Sequence, residues 1–142
     1  MGRYRVLDDV ALADCALEVE GGSLNDLFET AAIALAELMV DPATVDASIE
    51  RRITLSAESI DLLLYDWLSE LIYRKDRDRE VFPRTRVHVG GDGPFTLEAN
   101  VHGAVIDRTR TGLRADPKAV TFHRFAVTSA DGTWRAQLVI DI

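Results

Sequence analysis

Apolar residues recur at spacings of three and four in two stretches of the chain, and each stretch predicts an amphipathic helix. The first predicted helix covers 24–40, with Ser23 as its N-cap and the Asp41-Pro42 pair as its stop. The second covers about 60–75, with Ser59 as its cap. The apolar positions that carry the pattern are Leu24, Leu27, Phe28, Ala31, Leu35 and Leu38, then Ile60, Leu63, Leu64, Trp67, Leu68, Leu71 and Ile72.

Elsewhere the apolar residues alternate with polar ones, which is typical of strands with one buried face. Gly90–Gly93 and the Asp131-Gly132 pair interrupt the alternation and predict hairpin turns. The charge run 76–80 is interpreted as a solvated loop and the arginine-bearing segment 107–117 as a loop. The predicted strands cover 17–20, 52–57, 84–89, 95–101, 118–127 and 134–142.

The order of these elements predicts the fold class. Strands and helices alternate in the first half of the chain, and hairpins follow in the second half. Consecutive hairpins make an antiparallel sheet, and two amphipathic helices need a sheet face to cover. We therefore predict an α+β fold in which two helices pack on a mainly antiparallel or mixed β-sheet, in a single domain over 1–142.

Charge and cysteine content narrow the function classes. The chain has 16 Lys+Arg and 24 Asp+Glu, a formal net charge of −8. Such a chain repels phosphate backbones, so tight nucleic-acid binding by this chain alone is not expected. The one cysteine, Cys15, excludes an internal disulfide and a Cys-rich zinc site. There is no signal-peptide pattern and no apolar run long enough to cross a membrane, so we expect a cytoplasmic protein without a membrane partner.

The last strand ends on an acid, in the sequence Val139-Ile140-Asp141-Ile142. Asp141 and the α-carboxylate of Ile142 are neighbouring anionic groups, which predicts that the C-terminus is part of a site. Carboxylate and carbonyl oxygens are the ligands that Ca²⁺ and Mg²⁺ prefer. Taken alone, Asp141 is better explained as a solvent-facing residue, and the more distant Asp14 as a solvated acid or the cap of a turn.

Six blocks, in order over almost the whole chain, make the sequence similar to the archease family. The first is Ala13-Asp14, followed seven residues after the acid by Gly21. The family usually has His-Thr-Ala-Asp here, whereas this chain has Ala11-Leu12-Ala13-Asp14, which keeps the acid and lacks the His and Thr. The other blocks are Leu27-Phe28-Glu29 with Ala31-Ala32, then Leu38–Pro42, Leu63–Leu71, Lys118–His123 and Val139–Ile142.

The resemblance implies an accessory protein of the RtcB-type RNA ligase, which seals tRNA halves in tRNA splicing with GTP and a metal ion. Such an accessory protein is not an enzyme. It promotes guanylylation of the ligase, restores its multiple turnover and broadens its nucleotide use, and it meets tRNA only indirectly. The resemblance also implies a metal site of Asp14, Asp141 and an oxygen of Ile142 for a divalent cation, with Ca²⁺ ahead of Mg²⁺ or Mn²⁺. Lys118 matches a further functional position, which acts on the partner.

Other candidate residues have simpler structural interpretations. His123 is expected on the same side as Ala119, Thr121 and Phe125, as a buried, hydrogen-bonded histidine. Asp66 and Glu70 share one helix face as like charges, which suits a solvated face better than a metal site. Tyr65-Asp66-Trp67 is interpreted as core packing, and Gly90–Gly93 lacks the Lys-Ser/Thr and the following helix of a phosphate loop.

Two other function classes stay open from the residues. One is a small metal-dependent phosphoester hydrolase in which Asp14 and Asp141 activate water. The other is a chaperone-like binding module, which would need a broad exposed apolar patch. A hydrolase would turn over phosphoesters alone, a chaperone would protect unrelated clients, and an activator would do nothing until its ligase is present.

Overall fold

The computed structural model describes residues 2–7 and 14–142, and this part of the chain forms seven β-strands and two α-helices. None of the described helices has the length and apolar content needed to cross a membrane. The elements in chain order are β1 Arg3–Leu7, β2 Asp14–Gly21, α1 Leu24–Met39, β3 Ile49–Ala57, α2 Ile60–Asp78, β4 Glu80–Gly91, β5 Phe95–Val105, β6 Ala119–Ala130 and β7 Thr133–Asp141.

The strands form two antiparallel sheets. The first sheet has the order β1-β2-β7-β6 and the second has the order β3-β5-β4. The predicted α+β class, with two helices and antiparallel strands, is confirmed. The expectation of one sheet is wrong, because the hairpin β4–β5 and the hairpin β6–β7 belong to different sheets and the segment between them carries the chain across.

Both helices lie between the two sheets. Helix α1 packs against β4 of the second sheet and β2 of the first, and α2 packs against β6 of the first sheet and β3 and β4 of the second. A helix covered on two sides must be apolar on more than one face. This explains the small buried residues Ala31, Ala32, Ala34 and Ala36 in α1, which let both sheets approach closely.

The predicted helix caps are confirmed. Ser23 Oγ accepts a hydrogen bond from the Asp26 N–H at 3.1 Å, and Ser59 Oγ accepts one from the Leu62 N–H at 3.2 Å. Each satisfies a backbone donor that the first turn would leave unpaired. The helices are joined at Trp67, which is fully buried and donates from Nε1 to the Phe28 carbonyl at 3.0 Å. Trp67 is therefore core packing, as predicted.

Side chains of α1 cover the free edge of β4. The backbone N–H of Val87 donates to Glu29 Oε2 and that of Val89 donates to Asn25 Oδ1, each at 2.8 Å. An edge strand otherwise presents unpaired donors to solvent or to another strand. Two polar residues of a mostly apolar helix are thereby accounted for as part of the fold.

The charge run 76–80 is not a loop, contrary to the sequence-based expectation. Helix α2 continues through Asp78, and Arg79 ends it in the left-handed conformation. Glu80 begins β4, where it is buried and pairs with Arg51 at 3.0 Å. The high charge of this run led to the prediction of a solvated loop. Basic residues also stabilise the last turn of a helix, however, so the same charges are compatible with the end of α2.

Sequence alternation also misses β1 and a break in β6. β1 pairs with β2 from Arg3 opposite Glu20 to Leu7 opposite Ala16. In β6 the pairing with β7 is interrupted between Thr121 and Ala126, so strict alternation does not hold across this segment. The side chain of His123 lies outside the described residues, and its predicted orientation stays a prediction.

Candidate functional site

Asp14 and Asp141 lie directly opposite each other in the first sheet, at the start of β2 and the end of β7. In an antiparallel pair, residues in register point to the same face of the sheet, with Cβ atoms about 4.5–5.5 Å apart. The neighbours Cys15 and Ile140 are also in register, and both are buried in the core. The two carboxylates therefore share the face of the sheet turned away from the core, and both residues are half-buried.

Lys118 and Ile142 lie at this same end of the sheet. The backbone N–H of Lys118 donates to the Asp141 carbonyl at 2.7 Å, and Ala119 is in register with Asp141. The Lys118 side chain is exposed. Ile142 follows Asp141, and its half-buried side chain packs against the core. The structure thus brings the four residues predicted for the metal site and for partner activation to one end of β2, β7 and β6.

A buried lysine fixes the position of the chain segment that leads into Lys118. Lys75, in the last turn of α2, is only 7% exposed, and its Nζ donates to the Pro117 carbonyl at 2.8 Å. Its ammonium also pairs with Asp76 at 2.7 Å and with Asp116. A buried ammonium without such partners would be strongly unfavourable. Lys75 therefore holds the two residues that precede Lys118.

Lys75 was not singled out from the sequence, although a signal was present. It continues the spacing of Leu64, Leu68 and Leu71, which is the buried face of α2. The ammonium also acts on Asp116, where its hydrogen bond lowers the pKa of the carboxyl below its usual value. A charged residue that falls on an apolar helix stripe is a signal for a buried ion pair.

The donor set at this end is chemically suited to a hard divalent cation but is small. Asp14 and Asp141 offer carboxylate oxygens, and Ile142, which follows Asp141 in the chain, offers main-chain oxygens. Ca²⁺ takes about six to eight oxygen ligands and Mg²⁺ takes about six, several of them water. Within residues 2–7 and 14–142 no group of three His, Cys, Asp or Glu side chains could hold a metal ion. The remaining ligands would have to be main-chain oxygen, water or a partner.

A buried hydroxyl lies on the same face of the sheet. Thr121 is two residues beyond Ala119 on β6, so the strand pleat directs it to the face that carries Asp141. Its Oγ1 is buried and has no hydrogen-bond partner within the described part of the chain. Buried polar atoms are nearly always paired, so an unpaired hydroxyl on the face that carries the two carboxylates suits a bound ion, a water or a partner atom.

Farther along the same strands, the acids of this face are neutralised. Glu20 lies opposite Arg135 in register, and its two carboxylate oxygens contact Arg135 at 3.2 Å and Arg3 at 2.7 Å. Glu18 contacts Arg5 at 3.0 Å. The hydrogen bond from Arg3 lowers the pKa of Glu20. Among the described residues, no ion pair of this kind reaches Asp14 or Asp141.

Two lesser candidates are explained by packing. Glu70 accepts a hydrogen bond from Arg74 Nε at 2.8 Å within α2, which offsets its proximity to Asp66. The ring of Tyr65 stacks on Phe122 at 4.3 Å and meets Phe125 edge-on at 6.2 Å. These contacts attach the irregular segment of β6 to α2.

Comparison with known proteins identifies the family. The sequence profile of the "Archease protein family (MTH1598/TM1083)" matches residues 4–142. The chain belongs to the archease family. An archease of Methanothermobacter thermautotrophicus is 34% identical over 131 residues, covering 92% of this chain and 93% of the relative. An archease of Methanosarcina barkeri is 31% identical over 142 residues, covering 99% of this chain and 96% of the relative.

Solved structures agree with the archease fold. The solution structure of Methanobacterium thermoautotrophicum protein 1598 superposes with a TM-score of 0.80 at 32% identity, covering 98% of both chains. The crystal structure of a Thermotoga maritima archease, described as a possible chaperone, gives a TM-score of 0.64 at 18% identity over 93% of both chains. The second likeness concerns the fold alone.

Proposed function

We propose that this archease is a non-enzymatic, metal-binding accessory protein of an RtcB-type RNA ligase in tRNA splicing, acting in the cytoplasm. It promotes guanylylation of the ligase, restores its multiple turnover and broadens its nucleotide use. The observation that carries the proposal is the register of β2 with β7, which sets Asp14 against Asp141 beside Lys118. Two unneutralised acids directly opposite each other disfavour the folded state unless something positive is bound.

The residues divide the work between them in this proposal. Asp14, Asp141 and an oxygen of Ile142 hold a divalent cation, Ca²⁺ ahead of Mg²⁺ or Mn²⁺, because all the donors are hard oxygens. A bound cation supplies positive charge that attracts a phosphate or a partner carboxylate. Lys118, an exposed point charge at the same end, contacts a phosphate or an acid at the ligase.

The charge of the protein indicates how it acts. With a net charge of −8, the chain lacks the positive field that supplies non-specific RNA affinity. Its effect then passes through contact with the ligase, and tRNA is met only on the ligase. We expect no measurable binding to free tRNA at physiological salt and salt-sensitive association with the ligase. A strong shift of labelled tRNA by this protein alone would return the RNA-binding interpretation.

The decisive experiment is ligation under multiple turnover by the cognate ligase, with and without this protein. The expected result is that product accumulates beyond one equivalent of ligase only when the protein is present. A parallel reaction contains the protein and a phosphoester substrate without ligase, and it should show no turnover. Product formation without ligase would favour a hydrolase. If the turnover of the ligase were the same with and without this protein, the proposal would be wrong.

A chaperone function ranks below this proposal. A chaperone needs a broad apolar surface for its clients. The exposed large apolar side chains of the described residues come from five separate segments of the chain. They are Val6, Leu62, Tyr73, Val105, Leu113 and Phe122.

A further inference from the structure

A basic cleft lies beside Lys118, between the ends of α1 and α2 and the segment that leads into β6. Its volume is about 320 Å³. It is lined by four cationic side chains, Lys75, Arg79, Arg108 and Arg114, and two acidic ones, Asp76 and Asp116. The lining therefore has two positive charges in excess, in a chain whose net charge is −8. We call this feature the arginine cleft.

Some charged side chains of the arginine cleft have partners within the described part of the chain, and others have none. Both acids pair with Lys75, and Arg114 donates from Nη1 to the Glu37 carbonyl at 2.8 Å. The side chains of Arg79 and Arg108 are exposed and make no hydrogen bond or ion pair within residues 2–7 and 14–142. The pKa of Asp116 is lowered first by its hydrogen bond from Lys75 and to a smaller extent by the nearby charge of Arg79. Two guanidinium groups therefore present all their donors to whatever enters the cleft.

Arg79 has an unusual backbone conformation for its residue type. It has φ 57° and ψ 33° at the C-terminus of α2, a position that glycine usually fills. The left-handed conformation is unfavourable for a residue with a Cβ. Its N–H donates to the Lys75 carbonyl at 2.9 Å, and its own carbonyl accepts from the Ile106 N–H at 2.8 Å. The backbone is thus held on both sides, and the side chain is aimed by a conformation that glycine would adopt more easily.

The other wall of the cleft is also fixed. The N–H of Arg114 donates to the Met39 carbonyl and that of Ala115 donates to the Leu38 carbonyl, each at 2.8 Å. The Asp41 N–H donates to the Gly112 carbonyl at 2.8 Å. These bonds join the segment before β6 to the end of α1. The cleft is therefore preformed, which lowers the ordering cost of binding.

The lining favours an acidic peptide over a phosphate chain. Met39 and Ile106 contribute apolar surface, and the side chain of Leu113 is 53% exposed at the rim. An apolar wall next to free guanidinium groups suits a carboxylate side chain with an apolar neighbour, since arginine binds carboxylates through paired N–H donors. A longer polyanion such as RNA is disfavoured, because it would extend beyond the cleft into the field of a chain whose net charge is −8.

We propose that the arginine cleft binds an acidic peptide segment of the partner protein, with its carboxylates on Arg79 and Arg108 and an apolar side chain against Leu113. The identity of that protein rests on the proposed function, which makes it the ligase. Pro117 and Lys118 follow Asp116 directly, so a segment bound here brings the partner next to Lys118 and the Asp14–Asp141 pair. In this proposal the arginine cleft holds the partner protein, and the adjacent end of the first sheet, with Lys118 and the Asp14–Asp141 pair, activates it.

The test is binding of the cognate ligase to wild-type protein and to the double variant Arg79→Gly, Arg108→Ala at three salt concentrations. Glycine suits the backbone at 79, and Arg108 has no side-chain partner to lose, so the variant should fold with unchanged or higher thermal stability. We expect at least about tenfold weaker binding at 0.15 M salt and a flatter salt dependence. The matched control Arg52→Ala, Arg86→Ala removes equal charge from the outer face of the second sheet and should stay within about twofold.

The outcomes separate this inference from the proposed function. If wild-type protein stimulates the ligase and the Arg79/Arg108 variant binds it as tightly as wild type, the cleft inference is wrong and the proposed function stands. If wild-type protein neither binds nor stimulates the ligase, the proposed function is wrong. The proposal that the cleft binds a segment of the ligase is then wrong as well. A third arm uses a short single-stranded RNA. If the wild-type protein bound this RNA tightly and the variant did not, the arginine cleft would be a phosphate-binding site and the acidic-peptide proposal would be wrong.

Discussion

The two ends of the β2–β7 pairing use acidic residues in opposite ways. On one face of the same two strands, Glu20 is held between Arg3 and Arg135, whereas Asp14 faces Asp141. Cross-strand pairs of opposite charge are favourable, whereas like charges directly opposite each other are destabilising. The first end contributes to the stability of the sheet, and the second end opposes it.

This difference supports the proposal that the Asp14–Asp141 end is the functional one. The neutralised end is complete within the chain, because its acids have cationic partners at 2.7–3.2 Å. The Asp14–Asp141 end is incomplete, since two carboxylates and the buried Thr121 hydroxyl have no such partners among the described residues. Strained or unsatisfied groups persist where function needs them. We therefore expect variants at the two ends to behave differently.

The largest effect is expected for Lys118→Ala in the ligase assay. Stimulation of multiple turnover should fall at least about tenfold, equivalent to about 1.4 kcal/mol. The fold should survive, because the side chain is exposed and the N–H bond to Asp141 belongs to the backbone. Arg5→Ala, at the neutralised end, is the control and should stimulate normally. Wild-type stimulation by the Lys118 variant would reduce this lysine to an ordinary surface residue.

The second effect is on metal affinity. Asp141→Asn keeps the size of the side chain and removes one of two charges, so Ca²⁺ affinity measured by calorimetry should fall at least about tenfold. Glu18→Gln, at the other end of the same face, should leave the affinity unchanged. Equal affinities of the Asp141 variant and the wild type would show that the cation is not held by this pair.

The smallest effect concerns pH. Because Arg3 lowers the pKa of Glu20 below its usual 4.5, the ionised carboxylate stabilises the fold above that pH. This contribution is lost as pH falls through the lowered pKa. In acid titrations followed by circular dichroism, wild type should lose stability more steeply below pH 4.5 than Glu20→Gln does. The difference should shrink in high salt, since exposed pairs are screened. If the stability of wild type and that of Glu20→Gln fell in parallel with pH, the predicted stabilising role of the Glu20 ion pairs would be wrong.

The regular elements could be predicted because their signals are local. Ser23 and Ser59 cap the helices as expected, and Asp131-Gly132 makes the turn with positive φ at both residues. The second sheet could not be predicted, since strand pairing depends on contacts between distant segments. The alanines of α1 were the available hint, because small residues on several faces indicate a helix covered on two sides.

The candidate site was predicted in part for a similar reason. Asp14, Asp141 and Lys118 come together as the family resemblance implied, through register that no local pattern specifies. The role of Lys75 in holding Pro117 was missed because a lysine near a helix end is usually a dipole partner in solvent. The break in β6 was missed because alternation was assumed to continue across 118–127, whereas pairing with β7 is lost between Thr121 and Ala126.

We expect the Asp14–Asp141 pair to oppose folding until a cation is bound. Thermal unfolding of wild type and Asp141→Asn, each in chelator and in excess Ca²⁺, tests it most directly. In chelator the variant should melt higher, because like charges directly opposite each other are destabilising and the substitution removes one of them. In Ca²⁺ at a hundred times the wild-type Kd, wild type should melt higher, because bound ion adds about 2.7 kcal/mol. The same order of melting temperatures in both conditions would contradict the account.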